Sequence, residues 1–215
     1  MKDYDAYLFD WDGTLARTLE VWLELKRELY RKHGLELSDR QIVLSFGRVA
    51  QTLRECGVSE PEIEAILERM GRLSSERIPA AEFYPHAFEA LKLLKAKGKK
   101  MALITTGWRD TINIILDKHQ LHGFFDVIIT GNDVTEHKPH PEGILAVLKA
   151  LGVGKDMAVM AGDSDKDLVA AQNAGVDSLL FYPASHKIFY NFEELQACGP
   201  TYVLSSWQEL IDQLQ

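Results

Sequence analysis

Short apolar runs with strand character punctuate the chain at Ala6–Phe9, Met101–Thr105, Val127–Thr130, Met157–Ala161 and Ser178–Tyr182. Between the later runs the pattern changes to a helical period, over Pro85–Lys97, Asp110–His119, Pro141–Leu151 and Asp165–Ala174. Buried runs that alternate with amphipathic helices predict a parallel sheet covered on both faces, a doubly wound α/β core. Gly98, Gly152 and Gly175 follow three of these helices, where C-terminal caps are expected.

One stretch breaks the alternation. From Leu15 to about Ala81 the pattern is helical throughout. In Thr18–His33 the residues Leu19, Trp22, Leu23, Leu29 and Tyr30 share one face. Lys26 falls in the middle of that stripe, where a lysine is expected to snorkel its ammonium out to water. Further helices are predicted over Ser38–Phe46, Ala50–Cys56 and Glu60–Leu73, punctuated by Gly34, Gly47 and Gly57. The organisation predicted is an α/β core of residues 1–15 and 82–215, interrupted after its first strand by a helical insert of residues 16–81. The run around Trp207–Ile211 is expected to close the chain as an amphipathic helix.

Composition narrows the setting. The chain has 215 residues, with 46% hydrophobic and 26% charged positions, ordinary for a soluble globular protein. No apolar stretch approaches the ~20 residues of a membrane helix. The N-terminus is acidic and does not resemble a secretory signal. Two distant cysteines, Cys56 and Cys198, form neither a zinc spacing nor a disulfide framework. A cytoplasmic protein is expected, with neither nucleic acid nor membrane as partner, acting as a monomer or small homo-oligomer. The net charge of −8 argues the same way, and it means that any phosphate site must supply its own local positive charge.

The chemistry lies at the ends of the predicted strands. The first ends in Asp10-Trp11-Asp12-Gly13-Thr14, and the second in Thr105-Thr106-Gly107. His137-Lys138-Pro139 follows the third, and the fourth ends in Gly162-Asp163-Ser164-Asp165-Lys166-Asp167. Ligands of doubly wound sheets bind at the carboxyl ends of the strands, so these four distant segments are expected to meet in one crevice. Crowded carboxylates raise one another's pKa unless a cation intervenes. Hard oxygen donors favour Mg²⁺, which also accepts phosphate oxygens. His137 and His140 flank Lys138, but no third ligand accompanies them, and they are expected to be polar loop residues.

The ordered set resembles the four motifs of the haloacid dehalogenase superfamily: Asp10-x-Asp12-Gly13-Thr14, Thr105, Lys138 before a proline, and Gly162-Asp163-x-x-x-Asp167. The helical insert resembles the cap of subclass I members, among which phosphoglycolate phosphatases are similar. The resemblance implies a Rossmann-like core and a Mg²⁺-dependent phosphohydrolase acting on a small-molecule phosphate ester. It implies that Asp10 attacks phosphorus and becomes an aspartyl phosphate, while Asp12 protonates the leaving alkoxide and then deprotonates water. Thr105, Thr106 and Gly107 would hold phosphoryl oxygens, and Lys138 would balance their charge. Asp10, Asp12 (through its backbone carbonyl) and Asp163 would ligate Mg²⁺, with Asp167 orienting Lys138 or a metal water from behind. The cap would set specificity, and Arg48, after Phe46-Gly47, is the candidate for meeting a carboxylate or second phosphate.

The chain departs from the common pattern at Arg17-Thr18, where many relatives have Asp-Ser, and at Tyr84-Pro85-His86, where many have Tyr-Pro-Gly. Both positions put any particular relative's substrate in doubt. A phosphomutase acting on a sugar phosphate would carry the same motifs. A dehalogenase would usually lack the second aspartate. A phospho-signalling receiver module would lack the Asp-x-Asp-Gly-Thr run and the insert.

Overall fold

The chain leaves its first strand for four helices before it returns to build a sheet. The computed structural model describes all 215 residues, Met1–Gln215. These form two compact units, one of Met1–Arg17 with Glu82–Gln215 and one of Thr18–Ala81.

After β1 (Ala6–Phe9) come α1 (Thr18–Lys32), α2 (Asp39–Leu44), α3 (Val49–Glu55) and α4 (Glu60–Arg77), which with a short 3₁₀ turn make up the helical unit. Local chemistry starts two of them. Ser38 and Gln41 form a capping box at α2, and Ser59 and Glu62 form another at α4. Leu23, Leu25, Leu29 and Tyr30 of α1 are buried, as are Ile42, Leu53, Ile63 and Ile66 of the other three helices. The Tyr30 hydroxyl donates to the buried Ser45 Oγ at 2.9 Å. Lys26 corrects the sequence expectation. It does not snorkel, and the whole residue is only 4% exposed.

The remaining elements are α5 (Ala87–Ala96), β2 (Lys100–Ile104), α6 (Arg109–Lys118), β3 (Val127–Ile129), α7 (Glu142–Leu151), β4 (Ala158–Gly162), α8 (Asp165–Ala174), β5 (Asp177–Phe181), α9 (Phe192–Ala197), β6 (Tyr202–Leu204) and α10 (Trp207–Leu214). The six strands form one sheet in the order β3-β2-β1-β4-β5-β6. Every pairing is parallel. This is the doubly wound α/β sheet expected, extended by β6, which sequence periodicity did not reveal.

Alternation along the strands divides the core. Ala6 and Leu8, Ala102 and Ile104, and Ala158 and Met160 share one cluster with Ile144, Val147 and Leu148 of α7 and Ala170, Ala171 and Ala174 of α8. On the opposite side Phe9 and Phe181 meet the fully buried Trp207 of α10, at ring distances of 5.8 and 4.9 Å. Both faces of the central strands are thereby buried, which explains their near-continuous apolar runs. No helix is long and apolar enough to cross a membrane.

Candidate active site

β2, β1 and β4 are neighbours in the sheet. The residues that follow them, Thr105, Asp10 and Asp163, therefore emerge side by side at its carboxyl edge. Strand order changes direction between β1 and β4, the kind of point where a doubly wound sheet opens a crevice. Asp10 and Asp163 flank it.

The turn after β1 holds Asp10 in place. The Asp10 N–H donates to the Ala161 carbonyl at 2.9 Å, and the N–H groups of Leu15 and Ala16 both converge on the Trp11 carbonyl at 3.1 Å. Gly13 adopts φ 74°, a left-handed conformation that L side chains resist. Trp11 is buried, with its ring 5.6 Å from that of Phe83. From the other side Trp207 Nε1 donates to the Thr14 carbonyl at 3.1 Å. Asp12 sits half-buried in this turn, its backbone bridged to Ala16.

Lys138 reaches this edge from the loop after β3. Its ammonium donates to Asp10 Oδ1 and Asp167 Oδ1, each at 2.6 Å, and to the Ile104 carbonyl at 3.0 Å. The loop is folded by Glu142 at the start of α7, whose carboxylate accepts the N–H groups of Thr135 and Glu136 at 2.9 Å each. Those bonds hold the Glu142 carboxyl below its usual range.

Asp167 is committed on both oxygens. While Oδ1 meets Lys138, Oδ2 accepts the Ser164 hydroxyl at 2.6 Å and the Ser164 N–H at 3.2 Å, closing the capping box of α8. Gly162 makes the approach possible, because a Cβ there would stand 2.2 Å from the Asp167 Cβ.

Asp163 is 2% exposed. Its Oδ1 accepts the Thr14 hydroxyl at 3.3 Å, whereas its buried Oδ2 has no hydrogen-bond partner. The Tyr190 hydroxyl lies beside this carboxylate and opposes the rise of its pKa.

Asp10, Asp163 and Asp167 place carboxylate oxygens within 4.8 Å of one another. Burial pushes the Asp10 carboxyl up to about 7 against the pull of Lys138. Burial, reinforced by the Asp167 and Asp10 carboxylates, raises Asp163 well above the usual range. Burial would lower the Lys138 ammonium, but the two aspartates outweigh it and raise it. Three buried carboxylates against one ammonium leave an excess of negative charge. That excess, hard oxygen donors and the orphaned Asp163 Oδ2 together fit a small divalent cation.

Residues 7–181 match the sequence profile described as haloacid dehalogenase-like hydrolase. The chain belongs to the haloacid dehalogenase-like hydrolase family. Among curated relatives, pyrophosphatase PpaX of Bacillus cereus (strain AH820) is 32% identical over 210 residues, 96% of this chain and 94% of that protein. The PpaX of Bacillus mycoides (strain KBAB4) is 29% identical over the same length, 96% of this chain and 95% of that protein. Among solved structures, a HAD-superfamily hydrolase of subfamily IA, variant 1, from Geobacter sulfurreducens superposes with a TM-score of 0.77 at 25% identity, covering 99% of this chain and 97% of that one. A hydrolase from Pseudomonas syringae gives 0.71 at 26% identity, covering 98% and 97%.

Of the residues singled out in sequence, the core unit of this family member brings together Asp10, Lys138, Asp163 and Asp167. Asp12 is not among the three clustered carboxylates and lies in the turn beside them. Thr105 is buried, and its hydroxyl accepts the Gly107 N–H at 3.0 Å. Thr106 is exposed. Arg48 lies in the helical unit and pairs with Glu55 at 3.0 Å. His137 and His140 are exposed and join no metal-binding cluster. Sequence reasoning missed Thr14, Tyr190 and Glu142. Thr14 stood inside the first motif and was legible there. Tyr190 carries no local signal, and Glu142 shows only as an acidic residue in the first turn of a predicted helix.

Proposed function

We propose that this family member is a Mg²⁺-dependent hydrolase of a small-molecule phosphate compound, working through an aspartyl-phosphate intermediate on Asp10. The observation that supports it best is the Lys138 ammonium held at 2.6 Å from both Asp10 and Asp167, beside the orphaned oxygen of Asp163.

Asp10, Asp163 and the backbone carbonyl of Asp12 would hold the cation, which when bound supplies positive charge to the phosphoryl oxygens and to the clustered carboxylates. Asp10 attacks phosphorus. Its oxygen forms the new O–P bond as the bond to the leaving oxygen breaks, and that oxygen takes the proton of the Asp12 carboxyl. Asp12, now ionised, removes a proton from a water whose oxygen attacks the same phosphorus. The Asp10–phosphorus bond then breaks, releasing inorganic phosphate. Lys138 keeps the Asp10 carboxylate oriented and neutralises charge on the transferring group. Thr105 and the Thr106 N–H would bind the phosphoryl oxygens, while the Gly107 N–H, also expected there, is held by the Thr105 hydroxyl. Asp167 fixes the Lys138 ammonium from behind. Residues 16–81 would serve as the cap that selects the substrate, where Arg48 would have to leave Glu55 to meet an anion.

A small phosphomonoester is the substrate class that the motif set suggests. Inorganic pyrophosphate is a second reading, favoured by the full-length similarity to PpaX. The test is phosphate release from a panel holding pyrophosphate, phosphoglycolate and sugar phosphates, with and without Mg²⁺. Multiple turnovers that require Mg²⁺ and fall by at least about 10⁴-fold in Asp10→Asn are expected. Near-normal rates in that variant would sink the nucleophile assignment.

A further inference from the structure

Lys26 is the least expected charge in the molecule. It lies on the apolar side of α1 at 4% exposure, and its ammonium stands 3.9 Å from the centroid of the Phe46 ring. No carboxylate faces it. Burial alone lowers the amine to about 8. A cation over an aromatic face recovers only part of the cost of burying an unpaired charge.

The same lysine lines an open cavity of about 700 Å³ whose lining residues all belong to the helical unit. This is inside the usual range of ~300–1,000 Å³ for small-molecule sites. Trp22, Phe46, Leu67 and Met70 give it apolar and aromatic walls, and no Asp or Glu lines it. Its other cations, Arg48 and Arg54, already pair with Glu55 and Glu60 at 3.0 and 2.6 Å. Lys26 is therefore the cation in this cavity without an anion, in a chain whose net charge is −8.

We propose that the helical unit carries a binding site for a small organic anion, a carboxylate or phosphate on an apolar or aromatic body. The anionic group pairs with Lys26 Nζ, and the body lies along Trp22, Phe46 and Met70. The anion has two possible sources, the non-reacting end of the substrate or a separate small molecule. The cavity's demand is the same for either. The site is defined without reference to turnover, so it stands or falls separately from the hydrolase reading.

The test uses the full chain labelled with ¹³C-methyl methionine, so that Met70 reports on the cavity while Met1, Met101, Met157 and Met160 serve as controls. The probe is benzoate, with neutral benzyl alcohol as its comparison. Benzoate should move the Met70 methyl saturably and leave Met101 and Met160 in place. Lys26→Leu should weaken that binding by about tenfold or more, the scale of one charge-assisted contact, while Lys26→Arg keeps it within about threefold. Leucine suits a buried, apolar position, so this variant is expected to fold. An unmoved Met70 at tens of millimolar benzoate, or equal binding of benzoate by Lys26→Leu, would overturn the proposal. Turnover then assigns the source. A KM raised only for esters with a second anionic group identifies the substrate's own anion. Unchanged kinetics beside lost benzoate binding identify a separate molecule.

Discussion

Asp167 shows how one side chain can be set by several local decisions at once. Serine at the start of α8 asks for an acceptor three residues on, and an aspartate there closes the capping box through Oδ2. The same closure turns Oδ1 toward Lys138. The carboxylate can lie against the end of β4 only because residue 162 has no side chain. A Cβ there would meet the Asp167 Cβ at 2.2 Å and its Cγ at 2.3 Å, and the Cβ, fixed to the backbone, cannot swing aside. Gly162→Ala is therefore expected to push Asp167 off Lys138. Overpacking of this kind costs roughly 1–3 kcal/mol, and misplacement of a catalytic support by about an ångström can cost on the order of 100-fold in rate. Steady-state kinetics and a thermal melt on the purified variant check both numbers. Full activity in Gly162→Ala would mean that Asp167 does not need this position.

At the scale of elements, the loop between β3 and α7 decides where the ammonium stands. Glu142 opens α7, where an acidic residue suits the helix dipole, and its carboxylate gathers the Thr135 and Glu136 N–H groups. Glu142→Ala should release that loop while leaving the core untouched. The expected result is a fall in kcat/KM on the order of tenfold, the usual scale for groups that orient a functional residue from behind, with little change in the melting temperature. An unaltered kcat/KM would show that the loop holds Lys138 without it. The same scale explains what could be seen in the sequence. The five apolar runs were legible because helical patterns alternate with them, and the longer helices because they repeat a period over enough residues. β6 and α9 were not: β6 is an edge strand with Val203 exposed, and α9 buries only Leu195, so neither shows a clear buried face. Asp10 and Asp163 were legible because each directly follows a strand, and Lys138 and Asp167 because they stand in the expected order in the segments that follow β3 and β4. The burial of Lys26 was not, since it depends on Phe46, a residue from beyond α2 that no local pattern ties to α1.

Across the whole molecule, the excess of buried carboxylates over cations ties stability to pH and to metal. The Asp10 carboxyl rises from 3.8 to about 7 through burial, opposed by Lys138, and Asp163 rises with it. A carboxyl whose folded pKa exceeds its unfolded one takes up a proton on folding between the two values. Stability from such a group is gained as pH falls through the folded pKa and lost as pH climbs past it. For Asp10 that window runs from about 7 down to about 4. Protein stripped with EDTA should therefore melt at a higher temperature at pH 6 than at pH 8. Mg²⁺ should remove most of the difference by supplying at pH 8 the charge that protons supply at pH 6. At a hundred times its Kd the ion adds about 2.7 kcal/mol, or roughly 5–10 °C for a chain of this length. Other titrating groups contribute to any such profile, and Asp163→Asn isolates the cluster. The metal-free variant should melt higher than the metal-free parent at pH 8, depend less on pH, and respond little to Mg²⁺. If the stripped parent instead melts lower at pH 6, or if Mg²⁺ stabilises Asp163→Asn as strongly as the parent, the carboxylate cluster is not the cation site, and the excess charge must be balanced within the chain.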